Sequence, residues 1–336
     1  KQDYTVEGFS AVTYKGSGGA QYIGGTGFQP NLVWLKNRTD TKYHLVLDSI
    51  RGTSGFLTSN DTMAEATEAH ILSLDLDGFT VDDIDTGTSN ESGDNYVAWC
   101  WDMGGSNASL TAGSINSTVR ANPTYGQSIV SYTANGTAGA TVAHGLSSAP
   151  EMIIAKGRNS AEDWGVGHTS LGWTKFIRLN TTGAEATATS LWNDTAPSNT
   201  LVTLGDSGIA NNSSSTTMIM YCFHSVTGYS KIGSYTGGGG TPVTTTLGFA
   251  PAFVMVKNTT SAANWEMFDN VRNPTAPQNL KLGANLNVAE NGSDLGNLTQ
   301  NNLEFLSNGF KTTGNYTDTN QSGSNFIYMA FADKRE

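Results

Sequence analysis

Short apolar runs, separated by clusters of Gly, Ser, Thr, Asn and Asp, make up nearly the whole chain. Such punctuation predicts many β-strands joined by tight turns. The strands are of two kinds. Leu32-Val33-Trp34-Leu35 and Tyr96-Val97-Ala98-Trp99-Cys100-Trp101 are nearly continuous apolar runs, as expected of strands covered on both faces. Ser128-Ile129-Val130-Ser131-Tyr132 alternates, which suits a sheet with one wet face. Helical periodicity is scarce; Ala64 to Leu72 is the stretch that predicts a turn or two.

The runs recur in register. Gly27-Phe28-Gln29-Pro30, Gly145 to Pro150 and Gly248-Phe249-Ala250-Pro251 each lead into an apolar strand ending at Lys36, Lys156 and Lys257, at one offset from the proline. A ring follows each lysine at one spacing: His44, Trp164 and Trp265. Upstream, Tyr14, Tyr132 and Tyr235 run into Gly-rich turns; downstream, Asn60, Asn180 and Asn285 precede Glu65, Glu185 and Glu290. Each unit closes on an aromatic strand, at Tyr96–Trp101, Met218–Phe223 and Phe326–Phe331. The expected fold is therefore all-β, three tandem β-sandwich or jelly-roll-like repeats over residues 1–103, 127–226 and 227–336. Units of roughly 100 residues can hold their own cores. The polar stretch 104–126 reads as a linker.

Composition narrows the function. With 14% charged residues and 39 glycines, coiled coils and helical bundles are excluded, while 32 aromatic residues argue against disorder. A net charge of −11 opposes binding to a phosphate backbone, so no nucleic-acid partner is expected. No apolar run is long enough for a membrane-spanning helix, so no membrane insertion is expected. The chain opens with Lys1 and no signal-peptide-like stretch, which reads as a processed end or a start inside a longer polypeptide. Cys100 and Cys222 occupy one repeat position in separate cores and are expected as buried free thiols.

Candidate chemistry is thin. Gly205-Asp206-Ser207-Gly208 is similar to a serine-protease nucleophile turn, but Ile209 replaces the next glycine; alignment with Asp77-Gly78 and Asn308-Gly309 predicts a hairpin turn instead. Asp75, Asp77, Asp82, Asp83 and Asp85 are the one candidate Ca²⁺ cluster, with a solvated acidic loop as the plainer reading. His44, Asp48 and Arg51 match Trp265, Asp269 and Arg272 in register, and Trp164 supplies the middle ring; His168 and Leu171 replace the middle acid and base. Rings with flanking charges are what a glycan site needs; a packed network stitching sheets is the plainer reading. Fifteen Asn-x-Ser/Thr triplets, Asn37, Asn60 and Asn90 among them, offer glycosylation sites or simply mark turns. No cofactor motif is present, and no paired carboxylates suggest an enzyme.

The pattern Gly-Phe-x-Pro-x-x-Val-x-x-Lys-Asn-Arg from Gly27, then Leu47-Asp48-Ser49-Ile50-Arg51-Gly52, Asp77-Gly78-Phe79 and Tyr96–Trp101, resembles a family of repeated domains in virion proteins of tailed phages, frequent in marine phages. Residues 113–123 resemble that family's connector. The resemblance implies a non-enzymatic tail-fibre or decoration component on the virion exterior. Its implied partners are its own copies (a trimer, by analogy with phage fibres), other virion proteins and host-surface glycans. The alternative is a secreted or cell-surface carbohydrate-binding protein or filament subunit.

Overall fold

The computed structural model describes residues 8–84, 87–212, 215–290, 292 and 303–332, and almost all of its regular structure is antiparallel β. Each closing aromatic strand is the centre of a large sheet. Asn95–Trp101 lies between Phe9–Lys15 and Leu32–Asn37, with Leu45–Asp48 beyond. Thr217–Phe223 lies between Gln127–Thr133 and Met152–Gly157, within an eight-stranded sheet. Asn325–Ala332 lies between Ser230–Thr236 and Pro251–Asn258, within a five-stranded one. Registers recur with the elements: Trp101 pairs with Phe9 and Leu32, Phe223 with Gln127 and Met152, and Phe331 with Ser230 and Phe253.

A small sheet covers one face of each large sheet. Ile71–Asp75 and Val81-ended Gly78–Val81 join Gln21–Gly24; Ala140–Ala143 pairs with Leu201–Leu204; Val243–Thr246 joins Gly309–Thr312 and Leu303–Leu306. Three separate cores fill these interfaces, around Val33 and Phe79, Val130 and Trp192, and Val254 and Phe310. Gly78 and Gly309 open the second strand of their hairpins with φ of 152° and 153°; a Cβ there would come within 1.9 and 2.0 Å of a carbonyl oxygen of the neighbouring strand, at Ile23 and Thr245.

The other faces of the three large sheets meet one another in a fourth, shared core. Trp101, Phe223 and Phe331, the last aromatic residue of each central strand, converge there with ring centroids 5.7–6.4 Å apart. Strands apolar on both faces follow from this arrangement, because each large sheet has a core on either side.

Cys100 and Cys222 are buried, form no disulfide, and lie in different cores. Burial also raises the Cys222 thiol well above its ordinary pKa. Thiol reagents should therefore label the native protein slowly and both sites fully after unfolding; fast native labelling would contradict the packing.

Several expectations fail for tertiary reasons. The stretch 104–126, expected as a linker, carries two strands of the large sheet: Ser117–Asn122 pairs with Gln127–Thr133, and Ala108–Leu110 adds the outermost strand. Ala64 to Leu72 forms no helix; Ala66 bridges Phe56, and Ile71 begins a strand. Helix appears instead in single turns at Thr189–Trp192 and Gly208–Asn211. Ser207 caps the second of these, its Oγ accepting from the Ile209 amide at 3.3 Å, so Gly205–Gly208 is neither a hairpin turn nor an exposed nucleophile elbow.

Candidate functional site

The residues singled out by their matched spacing gather at three seams between the large sheets. Each ring's backbone amide donates to an asparagine: His44 to Asn60 at 2.9 Å, Trp164 to Asn180 at 3.0 Å, Trp265 to Asn285 at 2.8 Å. That bond aims the ring across the seam. Trp164 Nε1 donates to the Thr58 carbonyl and Trp265 Nε1 to the Arg178 carbonyl, both at 2.8 Å. His44 Nδ1 accepts from Trp34 Nε1, leaving Nε2 to donate to the Gly283 carbonyl at 3.0 Å. Thr58, Arg178 and Gly283 each stand two residues before the asparagine that holds a ring. The three contacts thus close a circuit.

The glutamates reinforce it. The amides of Glu65, Glu185 and Glu290 donate across the seams to the carbonyls of Arg158, Thr259 and Arg38. Glu65 also joins Arg51 of its own side to Arg158 across the seam, at 2.9 and 2.8 Å. Glu290 does the same between Arg272 and Arg38, both at 2.8 Å. Burial alone would raise the Glu290 pKa, but the bonds from Arg38 and the charge of Arg272 hold it below the ordinary carboxylate value.

Two of the seams bury a carboxylate–guanidinium pair. Asp48 Oδ2 meets Arg51 Nε at 2.5 Å and accepts from the Tyr221 hydroxyl at 2.8 Å. Asp269 Oδ2 meets Arg272 Nε at 2.5 Å and accepts from Trp99 Nε1 at 2.9 Å. Tyr221 and Trp99 hold one position in their central strands, and Met329 holds it in the third. Met329 has no proton to donate, and its seam has His168 and Leu171 in place of acid and arginine. His168 Nδ1 accepts from the Ser170 amide, and burial lowers its pKa to about 4, so it is neutral. The substitutions are mutually consistent: the seam without a donor carries no charged acceptor.

A lysine lies at each seam with its ammonium against backbone carbonyls. Lys156 Nζ donates to the carbonyls of Gly157 at 2.8 Å, Ser160 at 3.0 Å and, across the seam, Thr62 at 3.2 Å. Lys257 Nζ reaches the Thr182 carbonyl across its seam at 2.9 Å and also the Ala263 carbonyl. Lys36 Nζ donates to the Asn37 carbonyl at 2.6 Å. Burial lowers these lysines to about 7 for Lys36 and about 8 for Lys156 and Lys257. The unfolded chain then binds the extra proton between pH 7 and roughly 10.4, and stability from this source rises with pH across that window. The difference in unfolding free energy between wild type and Lys36→Met should shift in favour of wild type from pH 7 to 10. A difference independent of pH would show that Lys36 is not desolvated.

A model of the family described as "Domain of unknown function (DUF7483)" matches residues 5–335. The chain belongs to the DUF7483 family. No curated protein and no solved structure matches it.

In this DUF7483 chain the glycan-site expectation is corrected by burial. His44, Asp48, Trp164, Asp269 and Trp265 are at most 1% exposed, and the Arg51 and Arg272 side chains are fully enclosed. No ring there offers a face on which a sugar could stack. The described Ca²⁺ candidates do not converge either. Asp75 accepts from the Ser73 and Thr80 hydroxyls, Asp77 from the Gly27 amide, Asp82 from the Asp83 amide and Asp83 from the Gly87 amide; Asp85 lies outside the described residues. The acids close enough to share an ion, among the described residues, are Asp40, Glu91 and Asp94 on the surface. Several sequons are structural as well: Asn37, Asn90, Asn211, Asn258 and Asn320 are buried, and their side chains hold turns.

Proposed function

We propose that this DUF7483 chain is a non-enzymatic structural protein of a tailed-phage virion, a tail-fibre or decoration component on the particle exterior. In this reading it is three tandem β-sandwich repeats closed into one body. The seam network is the observation that carries it. Ionisable side chains in matched register are spent on sheet-to-sheet contacts, as a structural role requires. The likeness of its motifs to tailed-phage virion domains supplies the particle. Association with other copies and with neighbouring virion proteins runs through the open edge of the eight-stranded sheet. That edge, Ala108–Leu110, has no charged side chain to block strand pairing.

Mass spectrometry of the purified native source, with gold-labelled antibody on intact particles, tests this reading. The expected result is the chain alongside capsid and tail proteins, with label on the particle surface. Recovery from a cell envelope or secreted filament free of capsid proteins would overturn it in favour of a cell-surface protein.

A further inference from the structure

The third sandwich buries an acid and a base where its two counterparts are apolar. Glu266 follows the ring Trp265, and Lys281 stands four residues before Asn285. The matching positions are Leu45 and Phe56 in the first sandwich and Gly165 and Phe176 in the second. The alignment is structural: Val46 bridges Leu57, Val166 pairs with Ile177, and Met267 pairs with Leu282. Phe56 and Phe176 both lie in sandwich interiors. The architecture therefore accommodates hydrocarbon at this place and does not require charge.

Glu266 is fully buried and Lys281 is 3% exposed. Lys281 Nζ stands 3.7 Å from Glu266 Oε1, beyond hydrogen-bond distance, and neither carboxylate oxygen of Glu266 accepts a hydrogen bond. Burial raises the Glu266 pKa to about 8, partly offset by Lys281, which favours the neutral acid. A desolvated ion pair of this kind is costly unless its geometry is excellent and its remaining lone pairs are bonded. A neutral amide at the same place removes both charges.

We propose that Glu266 and Lys281 condense into an intramolecular amide, a covalent staple between the strand Trp265–Asp269 and the segment entering Leu282–Gly283. The Lys281 ammonium first passes one proton to the Glu266 carboxylate, and the Nζ lone pair so freed attacks Glu266 Cδ, forming the C–N bond. One Cδ–O bond then breaks, and that oxygen leaves as water with two protons drawn from the acid and the amine. No oxidant or external group is consumed. Holding amine and acid together in a dry interior replaces a bimolecular encounter with a unimolecular step, and release of water from an apolar core favours the product.

Intact mass measurement of the full-length wild-type protein in denaturant tests the staple. The expected mass is one water below that of the sequence, and Glu266→Ala and Lys281→Met should each return to their full calculated masses. Trypsin should fail to cut after Lys281 in wild type, giving a branched peptide that joins Glu266 to Lys281. Full sequence mass with normal cleavage after Lys281 would show an ion pair only and overturn the proposal. A water deficit that persists in both variants would overturn it too. The wild-type digest decides the question even where a variant fails to fold.

Discussion

Asp269→Ala should destabilise the protein by about 3–5 kcal/mol, the cost of breaking a buried ion pair from one side. Asp269 Oδ1 accepts the Arg272 amide at 2.9 Å, while Oδ2 binds Arg272 Nε and Trp99 Nε1. Removing the carboxylate leaves a fully enclosed guanidinium, stacked 5.6 Å above the Trp99 ring, with less than its full complement of acceptors. It also strips the Trp99 N–H of its partner in a dry interface. Removing both charges with Asp269→Leu/Arg272→Leu should recover much of the loss, since the third seam closes with His168 and Leu171 in place of the buried acid and arginine. Urea unfolding followed by tryptophan fluorescence measures both. A loss below about 1 kcal/mol for Asp269→Ala would show that the seam pair is exposed or already broken in solution.

The second large effect is expected at the shared core. Trp101→Ala should cost about 3–5 kcal/mol, as large-to-small changes of buried aromatic residues do. The Trp101 ring lies 5.2 Å from Phe9, 6.2 Å from Phe253 and 5.7 Å from Phe331, so its loss opens a cavity bordered by more than one sheet. Its Nε1 is buried without a hydrogen-bond partner. Trp101→Phe, which copies Phe223 and Phe331, should therefore cost much less than Trp101→Ala. Because the core is shared, calorimetry should show one transition in wild type, with calorimetric and van't Hoff enthalpies agreeing. Separate transitions, with only the first moved by Trp101→Ala, would mean that the sheets are stable independently.

The strands were legible in the sequence because their causes are local. Alternation and apolar runs follow from the two-residue period of a strand. The offsets that align Lys36, Lys156 and Lys257, or Asn60, Asn180 and Asn285, were legible for the same reason. The cysteines followed from register, since one position in separate cores cannot pair. Sequence could not say what the matched rings and charges touch. A packed network was the plainer reading of His44, Trp164 and Trp265, but an exposed sugar platform stayed open, because an amphipathic ring looks the same whether solvent or another sheet lies over it. Only the meeting of the three large sheets buried them, with Trp164 bonded to Thr58 and Trp265 to Arg178.

The 104–126 segment misled for a related reason. Polar strands at and next to a sheet edge carry little apolar signal, and their identity rests on backbone bonds, Ser117–Asn122 to Gln127–Thr133 and Ala108–Leu110 to Ser117–Asn122, which side-chain pattern does not encode. Asp75, Asp77, Asp82 and Asp83 are close in sequence, but each is held by separate hydrogen bonds. Sequence by itself determined that the chain is nearly all β and where most of its apolar strands lie. The tertiary structure decided which faces would be covered, and therefore that the matched charges join sheets together and do not face a ligand.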